Sequence, residues 1–215
     1  METLVRRTFA LDLPAGPARV LAGLRGAGHQ AFVVGGAVRD ALRGMPLGDV
    51  DVATSATPRQ VAELFAHTHA VGARFGVMIV VEEGQAVEVA TFREDAAYSD
   101  GRHPDAVRFA DMTTDATRRD FTVNALYWDP VEQVVLDPVG GLADLSSRRL
   151  RAIGEARRRF REDRLRLLRC VRFAAQLDFA IEASTWEALV DLAGGVGGVS
   201  AERIRAELDR VLTGP

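Results

Sequence analysis

Lysine is missing altogether: all 27 basic residues of this 215-residue chain are arginine, so its fixed side-chain cations are guanidiniums. Genome composition accounts for that bias first and function second. Cysteine is nearly missing too. A single Cys170 excludes an internal disulfide and a cysteine-based zinc site, and it reads as a small buried hydrophobe. No apolar run is long enough to cross a membrane and no signal-peptide pattern is present, so a soluble cytoplasmic protein is expected. Large net charge is lacking as well. A balance of −3 argues against a protein that coats nucleic acid over its whole surface. The distribution says more than the sum. Eleven arginines lie between Arg148 and Arg172, with only Glu155, Glu162 and Asp163 against them, a footprint suited to the phosphates of a nucleotide or RNA. With 47% hydrophobic residues, the length suits one large domain or two small ones with ample core.

What is present is organised around Val33-Val34-Gly35-Gly36-Ala37-Val38-Arg39-Asp40 and the later Gly48-Asp49-Val50-Asp51-Val52. The first stretch reads as an apolar strand entering a Gly-Gly turn and then a helix. Such a turn exposes backbone N–H groups and lets a phosphate approach closely. The second alternates, with Val50 and Val52 on one face and Asp49 and Asp51 on the other. Two carboxylates on one strand face repel each other unless a cation sits between them. Mg²⁺, which carboxylates hold together with substrate phosphates, is the obvious one. Taken singly, the Gly-Gly is usually just a turn and the Asp-x-Asp is as often a solvated strand face. Their order and spacing point to nucleotidyl transfer.

In chain order, the patterns predict a structural helix over Pro17 to Gly28 and a strand over Ala31–Val34. A helix over Ala37 to Leu42 and a strand over Val50–Ala53 come next. Thr57 is placed to cap a helix from Pro58 to Phe65. Strands Gly76–Val81 and Ala86–Phe92 flank a hairpin at Glu83-Gly84-Gln85, and Glu88 faces opposite Val87 and Val89. Arg93 to Asp105 is too irregular for a regular element and reads as a mobile loop. Asp120 is placed to cap the segment that begins at Phe121, and Tyr127 to Leu136 reads as a hairpin turning at Asp129-Pro130. Near Leu150 the composition changes from strand-rich to helical, which sets the expected domain boundary at 1–150 and 151–215. Phe160 to Phe179 reads as one helix, with Leu167, Leu168, Val171, Ala174 and Ala175 on one arc and Arg166, Arg169 and Arg172 on the other. The bland reading is a core face and a solvated face. A like-charge stripe of this kind is nonetheless costly unless anions neutralise it. Val199 to Leu212 reads as a Ser200-capped amphipathic helix with a packing role.

Gly35-Gly36-Ala-Val-Arg39-Asp40 with the downstream Asp49-Val-Asp51 resembles the class II tRNA nucleotidyltransferases and bacterial poly(A) polymerases. So do Arg118-Arg119-Asp120-Phe-Thr-Val-Asn124-Ala, Asp137-Pro-Val-Gly-Gly141 with Asp144-Leu145, Glu162-Asp163-x-x-Arg166 and the final helix. The likeness covers roughly residues 30 to 212, with five motifs in the family's order. It implies an α+β fold: a catalytic head with a mixed sheet flanked by helices, then an all-helical neck. It implies template-independent addition of C and A from CTP and ATP to the 3′ end of tRNA, with pyrophosphate released and no protein partner.

By the same resemblance, Asp49 and Asp51 hold Mg²⁺ in a two-metal site and Glu88 is the third acid. Gly35, Gly36 and Arg39 bind the triphosphate, and Arg119 contacts the nucleotide. Asp163 and Arg166 read the base, and Arg169 and Arg172 reach the nucleotide as well. Arginine offers a planar fork of donors, and aspartate accepts from the exocyclic amino group that C and A share. The 93–105 loop takes the place of one that helps switch from C to A. Relatives continue into body and tail domains, whereas this sequence stops at Thr213-Gly-Pro215. A complete nucleotide site with weak or promiscuous primer use is therefore expected. CCA, CC, A or poly(A) products remain open. Two rivals also stand: a non-catalytic RNA- or nucleotide-binding module, which would be free to lose its acids, and a nucleotidyltransferase acting on a small molecule or protein, which would not need the Glu162-Asp163…Arg166 helix.

Overall fold

A computed structural model describes residues 4–96 and 106–213. The elements run β1 (Val5–Thr8), α1 (Ala15–Gly26), β2 (Ala31–Val34), α2 (Gly36–Leu42), β3 (Asp51–Thr54), α3 (Pro58–Leu64), β4 (Thr68–Gly72), β5 (Val77–Glu82) and β6 (Gln85–Thr91). Then come β7 (Arg93–Asp95), β8 (Val107–Phe109), α4 (Met112–Thr117), β9 (Tyr127–Asp129), β10 (Val134–Asp137), α5 (Gly141–Ser146) and β11 (Arg149–Leu150). The remainder is α6 (Ala156–Glu162), α7 (Leu165–Leu177), β12 (Ala180–Ile181), α8 (Ala183–Leu192) and α9 (Ala201–Thr213).

Eight strands form one mixed sheet in the order β1-β10-β9-β2-β3-β6-β5-β4. Neighbours pair antiparallel except β3 and β6, which run parallel with Val52 opposite Val89. Both faces of the centre are covered. Val33, Val52, Val89 and Trp128 pack with Val20, Leu21 and Leu24 of α1 and Val61 of α3. Phe32, Val34, Ala53 and Tyr127 pack on the other side with Phe92 and with Met112 and Ala116 of α4. This double burial is why β2 reads as an unbroken apolar run rather than an alternating one. Thr57 and Gln60 form a reciprocal capping box at the start of α3, as Thr57-Pro58 implied.

A second core belongs to the helical half: Phe160, Leu167, Cys170, Phe173, Leu177 and Leu189 close over Phe121, Val123 and Leu150. Residues on the strand-rich side of the expected boundary thus help to build the core of the helical half, and β11 pairs in parallel with β12 across that boundary. Buried Cys170 has its thiol pushed up to about 12 by burial and by nearby Asp120, which fits a packing role.

Three local expectations need correction. The helix expected over Phe160–Phe179 is two helices, α6 and α7, because Asp163 adopts an extended backbone (φ −138°, ψ 107°). Its side chain accepts from the Leu165 N–H, the local bonding by which aspartate starts a new helix instead of continuing an old one. The arginine face of α7 is not solvated. Arg166 and Arg172 are 9% and 7% exposed, whereas Val171 of the expected apolar arc is 48% exposed. Arg93–Asp95, expected as loop, is a strand pairing with β8; residues 97–105 of that loop lie outside the described residues. Among the described residues no helix is long and apolar enough to cross a membrane.

Candidate active site

The site forms at one end of the central strands. Val34 pairs with Asp51 on one side and Tyr127 on the other, so the chain leaves β2 into Gly35 beside both. Gly35 has φ +77° and ψ −131°, a conformation side-chain-bearing residues rarely adopt, so glycine is required for this turn. Asp51 opens β3 with Val50 and Val52 turned into the core, which aims its carboxyl to the opposite face. Asp49 precedes the strand and is exposed; Glu88, beside Val87 and Val89 in β6, is exposed on the same side. Burial and Glu88 push the Asp51 carboxyl up to about 6; Arg119 opposes that rise and Asp49 adds to it. Asp51 therefore feels both Glu88 and Asp49 as charges. Among the described residues no three such side chains form a ready-made metal cage.

A cleft of about 360 Å³ opens over Asp51, Gly35, Gly36 and Arg119 and is bounded on the neck side by Asp163, Arg166, Arg169 and Phe173. A larger hollow of about 800 Å³ beside Pro138 and Arg151 is lined by none of Asp49, Asp51 and Glu88; of these three only Asp51 lines the smaller cleft. The cleft joins most of the expected residues and leaves some aside. Arg39 lines it, yet its three nitrogens already donate within the protein: Nη1 to Asn124 Oδ1 (2.6 Å), Nε and Nη2 to Asp40 (2.8 and 2.7 Å). Arg169 reaches back to the head, donating Nε and Nη2 to Asp120 at 2.8 and 2.6 Å. Burial works to raise the Asp120 carboxyl, but Arg169 and Asn124 outweigh it and hold it down at about 2. Asp120 therefore does not cap a helix; it accepts from the Phe121 N–H, Asn124 and Arg169.

Arg166 donates to Glu162, to the Arg159 carbonyl and to the Arg118 carbonyl, and Asp163 is held bidentately by Arg203 of α9 at 3.0 and 3.2 Å. Arg172 stands outside the residues lining the cleft, buried and bonded to Glu207 (2.5 Å) and Gln176 (3.0 Å). The like-charge stripe of α7 is thus neutralised by the protein's own Glu162, Asp120 and Glu207. Phe173 gathers three guanidiniums over its ring, those of Arg39, Arg169 and Arg172 at 5.2, 5.0 and 4.0 Å.

Sequence reasoning missed the buried support behind this surface: Asp115, Tyr127, Asn124 and Phe173. Asp115 accepts from Arg118, Arg119 and the Tyr127 hydroxyl. Burial disfavours its charge, but Arg119 and Arg118 outweigh that and keep its pKa below the ordinary carboxylate value. Of the four, only Asn124 lies in one of the family-like motifs. Asp115 sits three residues before the Arg118-Arg119 pair, a spacing that gives helical contact with both.

The poly(A) polymerase head domain family matches residues 31–151, and a family described as the probable RNA and SrmB- binding site of polymerase A matches residues 178–215. The CCA-adding enzyme of Geobacillus thermodenitrificans is 46% identical over 189 residues, which are 87% of this chain and 46% of that enzyme. A crystal structure of the Bacillus stearothermophilus CCA-adding enzyme in complex with CTP superposes with a TM-score of 0.84 at 40% identity, covering 94% of this chain and 50% of the other. A tRNA nucleotidyltransferase complexed with a primer tRNA and an incoming ATP analog superposes with a TM-score of 0.70 at 28% identity, covering 88% and 55%. The chain therefore spans about half the length of the curated relatives it matches. Because the head-domain family covers more than half of its residues and falls on the Gly-Gly turn, the acids and the Arg118-Arg119 pair, the chain belongs to the poly(A) polymerase head domain family.

Proposed function

We propose that the chain is the head (residues 1–150) and neck (residues 151–215) of a template-independent RNA nucleotidyltransferase that adds C and A from CTP and ATP to the 3′ end of tRNA. The observation that carries this is the meeting of Asp51, crowded by Glu88 and Asp49, with Arg119 and the Gly35 turn in a cleft closed by Asp163 and Arg166. The resemblance to enzymes crystallised with CTP and with primer tRNA supports the same chemistry. A cytoplasmic location goes with these substrates.

The donor set fits a divalent cation. Asp51 is raised to about 6 by burial and its acidic neighbours, a repulsion that a bound cation would relieve. Mg²⁺ keeps several waters and takes substrate phosphate oxygens, so Asp49 and Asp51 suffice without a cage, with Glu88 completing the acidic face. When bound, a pair of Mg²⁺ ions would activate the RNA 3′-hydroxyl and steady the leaving pyrophosphate. The chain's own residues do the rest. Arg119 balances triphosphate charge beside the glycine turn. The Asp163 carboxylate has room to accept from the exocyclic amino group of C or A, and the Arg166 Nε–H faces no acceptor among the described residues. U and G present a carbonyl where Asp163 needs a donor. Arg39, with its nitrogens engaged, acts as a brace between Asn124 and α2.

The test incubates the protein with Mg²⁺, labelled CTP or ATP, and tRNAs ending before CCA, before CA and before A. A double variant, Asp49→Ala/Asp51→Ala, serves as the control. Defined additions that vanish in the control support the reading and name the product; long A tracts on any RNA would favour poly(A) synthesis. Nucleotide binding without incorporation on any primer would favour the non-catalytic module.

A further inference from the structure

Arg119 lines the cleft with Asp51 and the Gly35 turn, and its orientation is set from behind. Its Nε donates to the Tyr127 hydroxyl (3.0 Å) and to Asp115 Oδ2 (3.3 Å), and Nη2 donates to the same Oδ2 at 3.1 Å. The Tyr127 hydroxyl in turn donates to that oxygen at 2.7 Å, closing a three-member ring of contacts. The guanidinium also lies over the Tyr127 ring, 5.2 Å from its centroid. One edge of Arg119 is thereby consumed. Its Nη1 has no hydrogen-bond partner among the described residues and lies 3.8 Å from where a β-carbon on Gly35 would stand, in the cleft.

We infer that Asp115, with the Tyr127 hydroxyl, is a positioning device for nucleotide binding: it clamps the rear edge of Arg119 so that Nη1 is presented to the anionic part of the incoming nucleotide. The inference rests on the proposed role of Arg119. The arrangement explains why a carboxylate stands 1% exposed in α4 with no route to the substrate itself. An arginine held on two nitrogens loses little further freedom when it meets a phosphate, so its binding energy is not spent on ordering. A flexible arginine in the same place would lose rotamer freedom at each binding event. Asp115 also accepts from Arg118 and from the Arg93 N–H, so it fastens α4 to β7 as well. A purely structural role for Asp115 therefore has to be separated from a positioning one.

The experiment measures the dissociation constant of CTP with Mg²⁺ by calorimetry, and the urea midpoint, for D115N, Y127F, R119A and the two doubles with R119A. R119A is expected to weaken CTP binding about 10- to 100-fold, the range for losing a hydrogen bond to a charged group. D115N should weaken it by about 10-fold and Y127F by a few-fold. Neither should weaken it further in the R119A background, since each acts through Arg119. Y127F removes one hydroxyl and leaves the ring in the core, so it carries the test if D115N folds poorly. Shifted urea midpoints with unchanged CTP affinity, or losses that add to those of R119A, would overturn the inference. Unchanged affinity in R119A itself would instead remove the assigned role of Arg119, and the inference with it.

Discussion

Replacing Asp51 with asparagine is expected to make the metal-free protein more stable while abolishing the proposed nucleotide incorporation. Burial and the neighbouring Glu88 raise the Asp51 carboxyl from 3.8 to about 6 in the folded chain. At about 1.4 kcal/mol per pH unit, that rise corresponds to about 3 kcal/mol of charge destabilisation; partial exposure of the side chain trims the expected gain to about 1–3 kcal/mol. The sign is unusual for an aspartate. A raised folded pKa means that the native state holds the proton more tightly than the unfolded chain. The penalty is therefore absent below about pH 4, grows through the window up to about 6 and is complete above it. Urea denaturation at pH 8 with chelator should show Asp51→Asn more stable than the parent, with the gap closing as the pH falls towards 4. Adding Mg²⁺ should stabilise the parent and leave the variant unmoved, because only the parent keeps the full acidic pair. A gap that stays constant between pH 4 and 8, or a variant less stable at pH 8, would refute the reasoning that Asp51 is a strained carboxylate awaiting a cation.

Two further perturbations probe close contacts between distant segments. Arg169→Ala strips the buried Asp120 carboxylate of the two donors on its Oδ2 and should cost about 3–5 kcal/mol in urea denaturation at pH 7. Asp120 titrates at about 2 in the intact protein, so its stabilisation is present above pH 4 and lost as the pH falls through 2; the deficit of the variant should shrink over that same range. Gly141→Ala would set a β-carbon 2.2 Å from the Thr122 carbonyl oxygen, a backbone contact that cannot swing away. About 1–3 kcal/mol of destabilisation, seen as a melting temperature several degrees lower, is the expected result.

The central strands, the Gly35 turn and the place of Asp51 beside it were legible because they depend on local chemistry. Period-two alternation places Asp49 and Asp51 opposite Val50 and Val52, and a strand running into Gly-Gly leaves few other conformations. Thr57-Pro58 announced a cap in the same way. The α6–α7 break was less legible: the leucine and arginine periodicity runs on through Asp163, and only that residue's preference for bonding its own backbone marks the interruption. What the sequence could not decide is which charges meet. An arginine stripe has the same pattern whether it faces water, a triphosphate or carboxylates 35 and 49 positions away, as Arg172 meets Glu207 and Arg169 meets Asp120. Asp115 looks like any acid in a short polar helix until the fold buries it behind Arg119 and Tyr127. Periodicity reports which side of an element is apolar, since that is a property of neighbours in the chain. Pairing and desolvation of charges depend on distances through space between distant segments, and only the tertiary structure fixes those.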